Sequence, residues 1–317
     1  MKLGNLTHVS LMLTAMLALI GMVGWILAGR EGLLITAGTA AIFTFLGHGA
    51  STTWMLKAIG AQKIELEDAP KLFAILQELA DRAGLEHLPD IYLMDNTMML
   101  GFSTGSDEED AAIVMTGPLV QNLSAREMAG VLAHEIAHIH GGDLVVMGMA
   151  DMLTRMTRTL SLLGLLLVIF NVPLALSVEG GRQLPWTALL LLISAPMVNF
   201  LIQMALSRTR EFEADVAAVN LCGDPPSLAQ ALEKLEQQQS GMFRTIFMPR
   251  RPGTEPSLLR SHPMTEDRVK RILAQSPAFG PLPDNLIGEH HGPLPDWPAD
   301  DLSAIKVPVR WLLRWWR

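Results

Sequence analysis

One cysteine and one tyrosine occur in 317 residues, aromatic residues make up only 6%, and charged residues only 18%. A single cysteine, Cys222, rules out an internal disulfide and fits a small buried apolar role in a reducing compartment. The scarcity of aromatics means that the hydrophobic half of the chain is aliphatic, with 19 methionines. A formal net charge of -8 removes any general electrostatic case for nucleic acid binding. Mean hydropathy is +0.30, high for a soluble enzyme.

The apolar residues fall in four blocks, Val9–Gly29, Leu33–Leu56, Leu160–Val178 and Thr187–Leu206. Each is close to the roughly 20 residues that a helix needs to cross a bilayer. The first lacks a clear small-x-small cleavage site and is followed after Arg30-Glu31 by the second, so a retained hairpin is expected rather than a signal peptide. The third and fourth flank Glu179-Gly180-Gly181-Arg182, the expected turn of another hairpin. Asn171, Pro173, Pro196, Asn199 and Gln203 make this second pair less uniform, leaving open spans, tilted segments or buried core helices. Lys2, Lys57, Lys63, Arg155, Arg158, Arg208 and Arg210 gather on one side of these blocks and only Arg30 and Arg182 on the other, which places the polar part in the cytoplasm.

The polar part reads as α+β. Glu67–Leu85 has helical apolar spacing, Ile91–Met94 and Ala111–Thr116 read as strands, and Asn96–Phe102 as a third strand before a Thr104–Asp107 turn. Ser124–His140 is the best-defined helix: Ser124 and Glu127 form an S-x-x-E capping box, and Gly141-Gly142 end it.

That helix carries His134-Glu135-Ile136-Ala137-His138, an H-E-x-x-H pattern. Histidines four apart share a helical face and can converge on one metal ion, while Glu135, one step round, can reach a water there but is badly placed as a ligand. A catalytic zinc takes three protein ligands, activates its water and polarises a carbonyl. The third ligand is expected in "SRTREFEADVAAVNLCG": Glu211 and Asp215 again share a face, Glu211 as ligand and Asp215 as hydrogen-bond acceptor for a ligand histidine. Glu213 faces away and is expected to be solvated; the competing interpretation makes Arg208, Arg210, Glu211 and Glu213 a charged face at a membrane boundary. His140 points elsewhere on its helix, His290-His291 are expected to be solvent-exposed in a Pro-rich tail, and His8, His48 and His87 have no partner legible in the sequence.

From Lys63 to Leu273 the chain resembles the HtpX-type membrane zinc metallopeptidases, more distantly the CAAX-prenyl endopeptidases. The resemblance rests on "DAPKLFAILQELADRAGL", "LPDIYLMD", "VLAHEIAHIHGGD", "SRTREFEAD" and "SHPMTEDRVKRI" together with the four apolar blocks. It implies a mainly α fold with a small β-sheet, about four hydrophobic helices in the membrane and a gluzincin-like domain. It implies one zinc held by His134, His138 and Glu211, with Glu135 as catalytic base and Asp215 behind the ligands. It also implies His262 near the site, stabilising the oxyanion, and Arg268 in a structural role. The expected activity is cytoplasm-facing proteolysis of damaged or misfolded membrane proteins from the plasma (inner) membrane, with protein substrates and lipid as partners, no nucleic acid, and room for a homo-oligomer. The alternatives are a specific processing peptidase of the CAAX-prenyl type and a catalytically silent zinc scaffold.

The expected organisation is an N-terminal hairpin (1–57), a first catalytic part (58–159), a second hairpin (160–206), a second catalytic part (207–275) and a Pro-rich tail (276–317). One departure stands out: the family's Asn-Ala-Phe-Ala is Leu100-Gly101-Phe102-Ser103 here, in the segment expected to pair with an extended substrate. The adjoining Asp107–Asp110 is expected to be a solvated acidic turn. The terminal "VRWLLRWWR" suits a bilayer interface, with docking on the protein or disorder as the alternatives.

Overall fold

A computed structural model describes residues 3–47, 52–177, 186–247 and 265–287. His262, the Glu179–Arg182 turn and the Trp/Arg-rich end lie outside the described residues. The fold is mostly helical with one small mixed sheet, and it divides into two compact units.

The first unit takes the described residues of Met1–Gly49 and Val146–Thr209. Its helices are α1 (Leu3–Gly47) and parts of α6 (Asp143–Ser177) and α7 (Trp186–Cys222). Helical geometry breaks inside α1 at Ala28 and at Gly29, whose φ of 59° is left-handed and suits glycine. A Cβ on Gly24 would lie 2.5 Å from Thr36 and 2.7 Å from the Gly32 carbonyl oxygen. Residues twelve apart in a straight helix stand about 18 Å apart, so the chain doubles back at Ala28-Gly29, just ahead of the expected Arg30-Glu31 turn. Glycines at 24 and 32 let the two arms touch.

This unit is apolar outside as well as inside, where Met16, Ile20, Val23 and Leu192 are buried. Leu11, Trp25, Ile35, Ile169, Leu190 and Ile193 are each more than half exposed, while Thr157 and Asn199 are fully buried and hydrogen-bonded to each other. An outer surface of apolar side chains, with the few buried polar groups satisfied internally, is what a hydrocarbon solvent selects. Among the described residues, two helical stretches, Val9–Ala40 and Leu190–Cys222, are long and apolar enough to cross a membrane.

The second unit takes the described residues of Ala50–Val145, Arg210–Ser257 and Pro263–Arg317. After α2 (Thr52–Ala58) come β1 (Gln62–Lys63), α3 (Pro70–Ala83), β2 (Asp90–Met94), β3 (Gly101–Thr104), β4 (Ala112–Thr116), α4 (Gly117–Asn122) and α5 (Ala125–His140). α8 (Pro225–Phe247), α9 (Thr265–Leu273) and α10 (Asp284–Ile287) follow α7. The sheet order is β1-β2-β4-β3; β2 and β4 run parallel, from Asp90↔Ala112 to Met94↔Thr116, and the outer pairs are antiparallel. Every residue of β4 is buried, as a central strand covered on both faces requires.

The strand expected at Asn96–Phe102 begins five residues later. Asn96 Oδ1 accepts the Met98 N–H at 2.9 Å in a side-chain turn, and Thr116 Oγ1 takes up the backbone at Met98 and Leu100. The acidic turn is built in rather than simply solvated: Asp110 accepts from Thr52, and Glu108 accepts the Glu86 N–H at 2.7 Å. Leu282 and Ile287 reach the main core, so the beginning of the tail docks on this unit.

α5 is the axis of the second unit. Both halves of its capping box form: Ser124 Oγ accepts the Glu127 N–H at 3.3 Å, and the Ser124 N–H donates to Glu127 Oε2 at 2.7 Å. Almost all of it is buried between α3, the sheet and α8. Gly130 permits the closest approach, since a Cβ there would sit 3.0 Å from the Leu228 Cα.

Candidate metal centre

His134 and His138 project from the last two turns of α5, and Glu211 comes from α7. The two Nε2 atoms are 3.1 Å apart with the rings nearly perpendicular, at 88°. Glu211 Oε2 lies 3.6 Å from His134 Nε2, and Oε1 lies 3.9 Å from His138 Nε2. One donor atom from each residue therefore falls within 4.8 Å of the others. Ligands about 2.1 Å from a tetrahedral zinc stand roughly 3.4 Å from one another, so the spacing fits such an ion. Glu135, also buried, follows His134 directly on the same helix.

Behind each histidine stands an aspartate, and behind each aspartate an arginine. His134 Nδ1 is 3.2 Å from Asp215 Oδ1, close but off-line for a hydrogen bond. Asp215 accepts two bonds from Arg268 of α9, at 2.8 and 2.7 Å, and Arg268 Nη1 also lies 3.1 Å from Glu211 Oε2. His138 Nδ1 is 2.7 Å from Asp143 Oδ2, and the other oxygen of Asp143 meets Arg210. With Nδ1 of each ring facing a carboxylate, both Nε2 atoms are turned toward the same point. Two lone pairs so close need a cation or a proton between them, which makes the donor set fit a divalent metal.

Burial alone would lower the basicity of His134; the Asp215 and Glu211 carboxylates outweigh it and raise its pKa to about 10. In the metal-free protein that imidazole holds a proton which a metal must displace.

The structure thus brings together His134, His138, Glu211 and Asp215, with Glu135 beside them. His262 lies outside the described residues. Glu213 is not simply solvated: it accepts from Arg210 at 2.6 Å. Three further residues belong to the site. Asp143 is visible in "HIHGGD" but sits across a two-glycine turn that breaks helical spacing. Arg210 reads like any charge at the edge of an apolar run, yet it is 3% exposed. Arg268 was expected nearby, but nothing in the sequence shows that it touches both Asp215 and Glu211.

An apolar-surfaced helical unit, a buried H-E-x-x-H helix and a carboxylate meeting its two histidines define a membrane-bound metallopeptidase. Comparison with known proteins gives the particular family. The profile of Peptidase family M48 matches residues 67–276. A Protease HtpX homolog of Methylibium petroleiphilum is 31% identical over 285 residues, 86% of this chain and 98% of the relative. A Protease HtpX homolog of Polynucleobacter necessarius is 32% identical over 281 residues, 85% of this chain and 95% of the relative. The crystal structure of S. mikatae Ste24p shares the fold, with a TM-score of 0.53 at 21% identity over 83% of this chain; the match spans 62% of that longer protein. The chain belongs to peptidase family M48 and is a metalloprotease acting on proteins.

Proposed function

We propose that this endopeptidase is a multi-pass zinc enzyme of the plasma membrane, with four spans and its site facing the cytoplasm, that degrades damaged or misfolded membrane proteins. In this assignment His134, His138 and Glu211 hold the zinc, Glu135 is the catalytic base, and Asp215 fixes the His134 tautomer. The observation that carries it is the convergence of three donor atoms within 4.8 Å beside Glu135. The excess of Lys and Arg flanking the apolar blocks on the side of the polar sequence supports the orientation.

When bound, zinc supplies a Lewis acid that polarises the scissile carbonyl and acidifies a water. The chain's own residues supply the rest. The Glu135 carboxylate takes a proton from the attacking water and returns it to the leaving amine nitrogen. Burial of Glu135 keeps bulk water from competing for that proton. β3 is an edge strand, so its outer backbone groups are positioned to pair with an extended polypeptide. His262 is assigned to the oxyanion by the family resemblance alone.

The test is Glu135→Gln in the full chain purified in detergent, with an unfolded membrane protein as substrate. The variant is expected to retain one zinc per chain and to lose about 10²–10⁴-fold in turnover. Full activity in the variant would remove Glu135 from its role; loss of zinc with it would make Glu135 a ligand instead.

A further inference from the structure

We infer that Asp143 and Arg210 are positioning residues of the metal centre, holding His138 in its ligating tautomer and fixing the backbone next to Glu211. The inference rests on the metal assignment made above.

Asp143 opens α6 and uses its two oxygens for two different purposes. Oδ2 lies 2.7 Å from His138 Nδ1, so the ring proton sits on Nδ1 and Nε2 is left as a donor to a metal. Oδ1 pairs with Nε and Nη2 of Arg210. Arg210 then reaches two further acceptors: Nη2 donates to the Gly141 carbonyl at 2.9 Å, and Nη1 to Glu213 at 2.6 Å. A buried guanidinium with its fork filled by a carboxylate, a backbone carbonyl and a second carboxylate has little freedom. Glu211 is the next residue, so its Cα is held by the same anchor.

Two further observations separate this from an ordinary buried ion pair. The first is repetition. His134–Asp215–Arg268 and His138–Asp143–Arg210 share one construction: an imidazole Nδ1 beside a carboxylate, and that carboxylate on an arginine. Asp143 opens α6, Arg210 and Asp215 lie five residues apart on α7, and Arg268 is on α9, yet each set ends on a different histidine of the same helix. Packing alone gives no reason for both aspartates to face imidazoles. The second is the room left for the arginine. A Cβ on Gly141 would stand 2.9 Å from Arg210 Nη2 and 2.9 Å from the Ala137 carbonyl oxygen. Gly141 has φ -70°, which any residue adopts, so its small size rather than its flexibility is what the site uses.

The experiment uses the full chain in detergent and reads metal binding rather than turnover. Zinc affinity is measured by chelator competition, and the ligand field by the visible absorption of the cobalt(II) form. Loss of a partner behind a metal-ligating histidine typically weakens metal binding 10–100-fold. Asp143→Ala and Arg210→Met are expected to fall in that range with an altered cobalt spectrum. Asp143→Asn can keep an acceptor for the ring N–H but then turns its NH2 toward Arg210, so its cobalt spectrum is expected to lie nearer wild type than that of Asp143→Ala while its zinc affinity falls within the same range. It also serves if the alanine variant does not fold. Folded variants with wild-type zinc affinity and an unchanged cobalt spectrum, whatever their melting temperatures, would overturn the inference and leave the metal assignment standing. Wild-type protein that takes up no zinc would overturn the metal assignment, and this inference with it.

Discussion

Arg268 offers the sharpest test of how the centre is held together. Its side chain is 9% exposed, and it faces Asp215, 2% exposed, through a two-pronged contact at 2.7 and 2.8 Å, and Glu211, 12% exposed, at 3.1 Å. Arg268→Met removes the cation and leaves both carboxylates in place. Breaking a buried pair from one side costs about 3–5 kcal/mol, because the remaining charge is stranded. For a unit of this size about 1 kcal/mol moves the melting temperature by roughly 2–4 °C, so the metal-free variant should melt about 6–20 °C lower. Asp215→Leu alone leaves Arg268 with Glu211 as its remaining anion and should lie near the lower bound. The double variant Arg268→Met/Asp215→Leu strands no charge between the two positions but still leaves Glu211 without its arginine, so it should fall by clearly less than the sum of the single losses. It should not recover metal affinity, because His134 Nδ1 has then lost its carboxylate. The assay is thermal unfolding of the four proteins in one detergent, with and without zinc. If the double variant falls by the sum of the single losses, within about 0.5 kcal/mol, Arg268 and Asp215 act independently and the paired construction of the site is refuted.

Gly130→Ala trades a helix-propensity gain of about 1 kcal/mol against overpacking of about 1–3 kcal/mol, because the Leu228 backbone lies 3.0 Å from the new Cβ. A net loss of about 1 kcal/mol in chemical unfolding is expected, and a stabilised variant would show that α5 and α8 are not in tight contact there. The raised pKa of His134, about 10 without metal, implies a pH dependence of known sign. Its contribution to stability is complete below the unfolded-state value of about 6.5 and lost as pH rises through about 10. The melting temperature of metal-free protein should therefore fall between pH 7 and 10 relative to the zinc-loaded form, in which the imidazole is already neutral; parallel curves would refute the assignment. Chelation should raise amide exchange at Arg210–Cys222 before it does so in α3, as read by hydrogen-exchange mass spectrometry, and simultaneous loss in both would mean that the metal holds the whole unit rather than one segment.

What could be read in advance follows the range of the interactions concerned. The α5 capping box and the shared face of His134 and His138 depend on residues three and four apart, and both stand in the structure as the spacing requires. Glu211 and Asp215 were legible for the same reason, being one helical turn apart. Contacts made across the fold left no such trace. Arg268 meets Asp215 from 53 positions away, and Arg210 meets Asp143 from 67. The sequence shows only an arginine near an apolar run, which lipid headgroups and a buried aspartate would explain equally well. β3 was placed too early because Asn96–Leu100 has strand-like composition, yet the Asn96 side chain and the Thr116 hydroxyl satisfy its backbone locally. β1 has only two residues, too short for any alternation to register.

The second unit is assembled from stretches of chain that lie far apart in sequence, and its chemistry depends on their joining. Ala50–Val145 contributes the sheet, α5, Glu135 and both histidines, while Arg210–Ser257 contributes Glu211, Asp215 and α8. Neither stretch holds all three proposed ligands, so neither would make the proposed metal site alone. Gly130 against Leu228 and Glu127 against Lys234 at 2.7 Å join them along one side of α5. Asp143 with Arg210 joins them at the end of that helix, beside the site. The proposed position of Glu211 is thus supported by direct contacts between the two polar stretches that flank residues 146–209. Buried arginines suit that task better than further apolar contacts would. A fork filled by acceptors in fixed directions sets a position, whereas an apolar surface permits sliding, and a ligand out of place by about 1 Å costs roughly a hundredfold in rate.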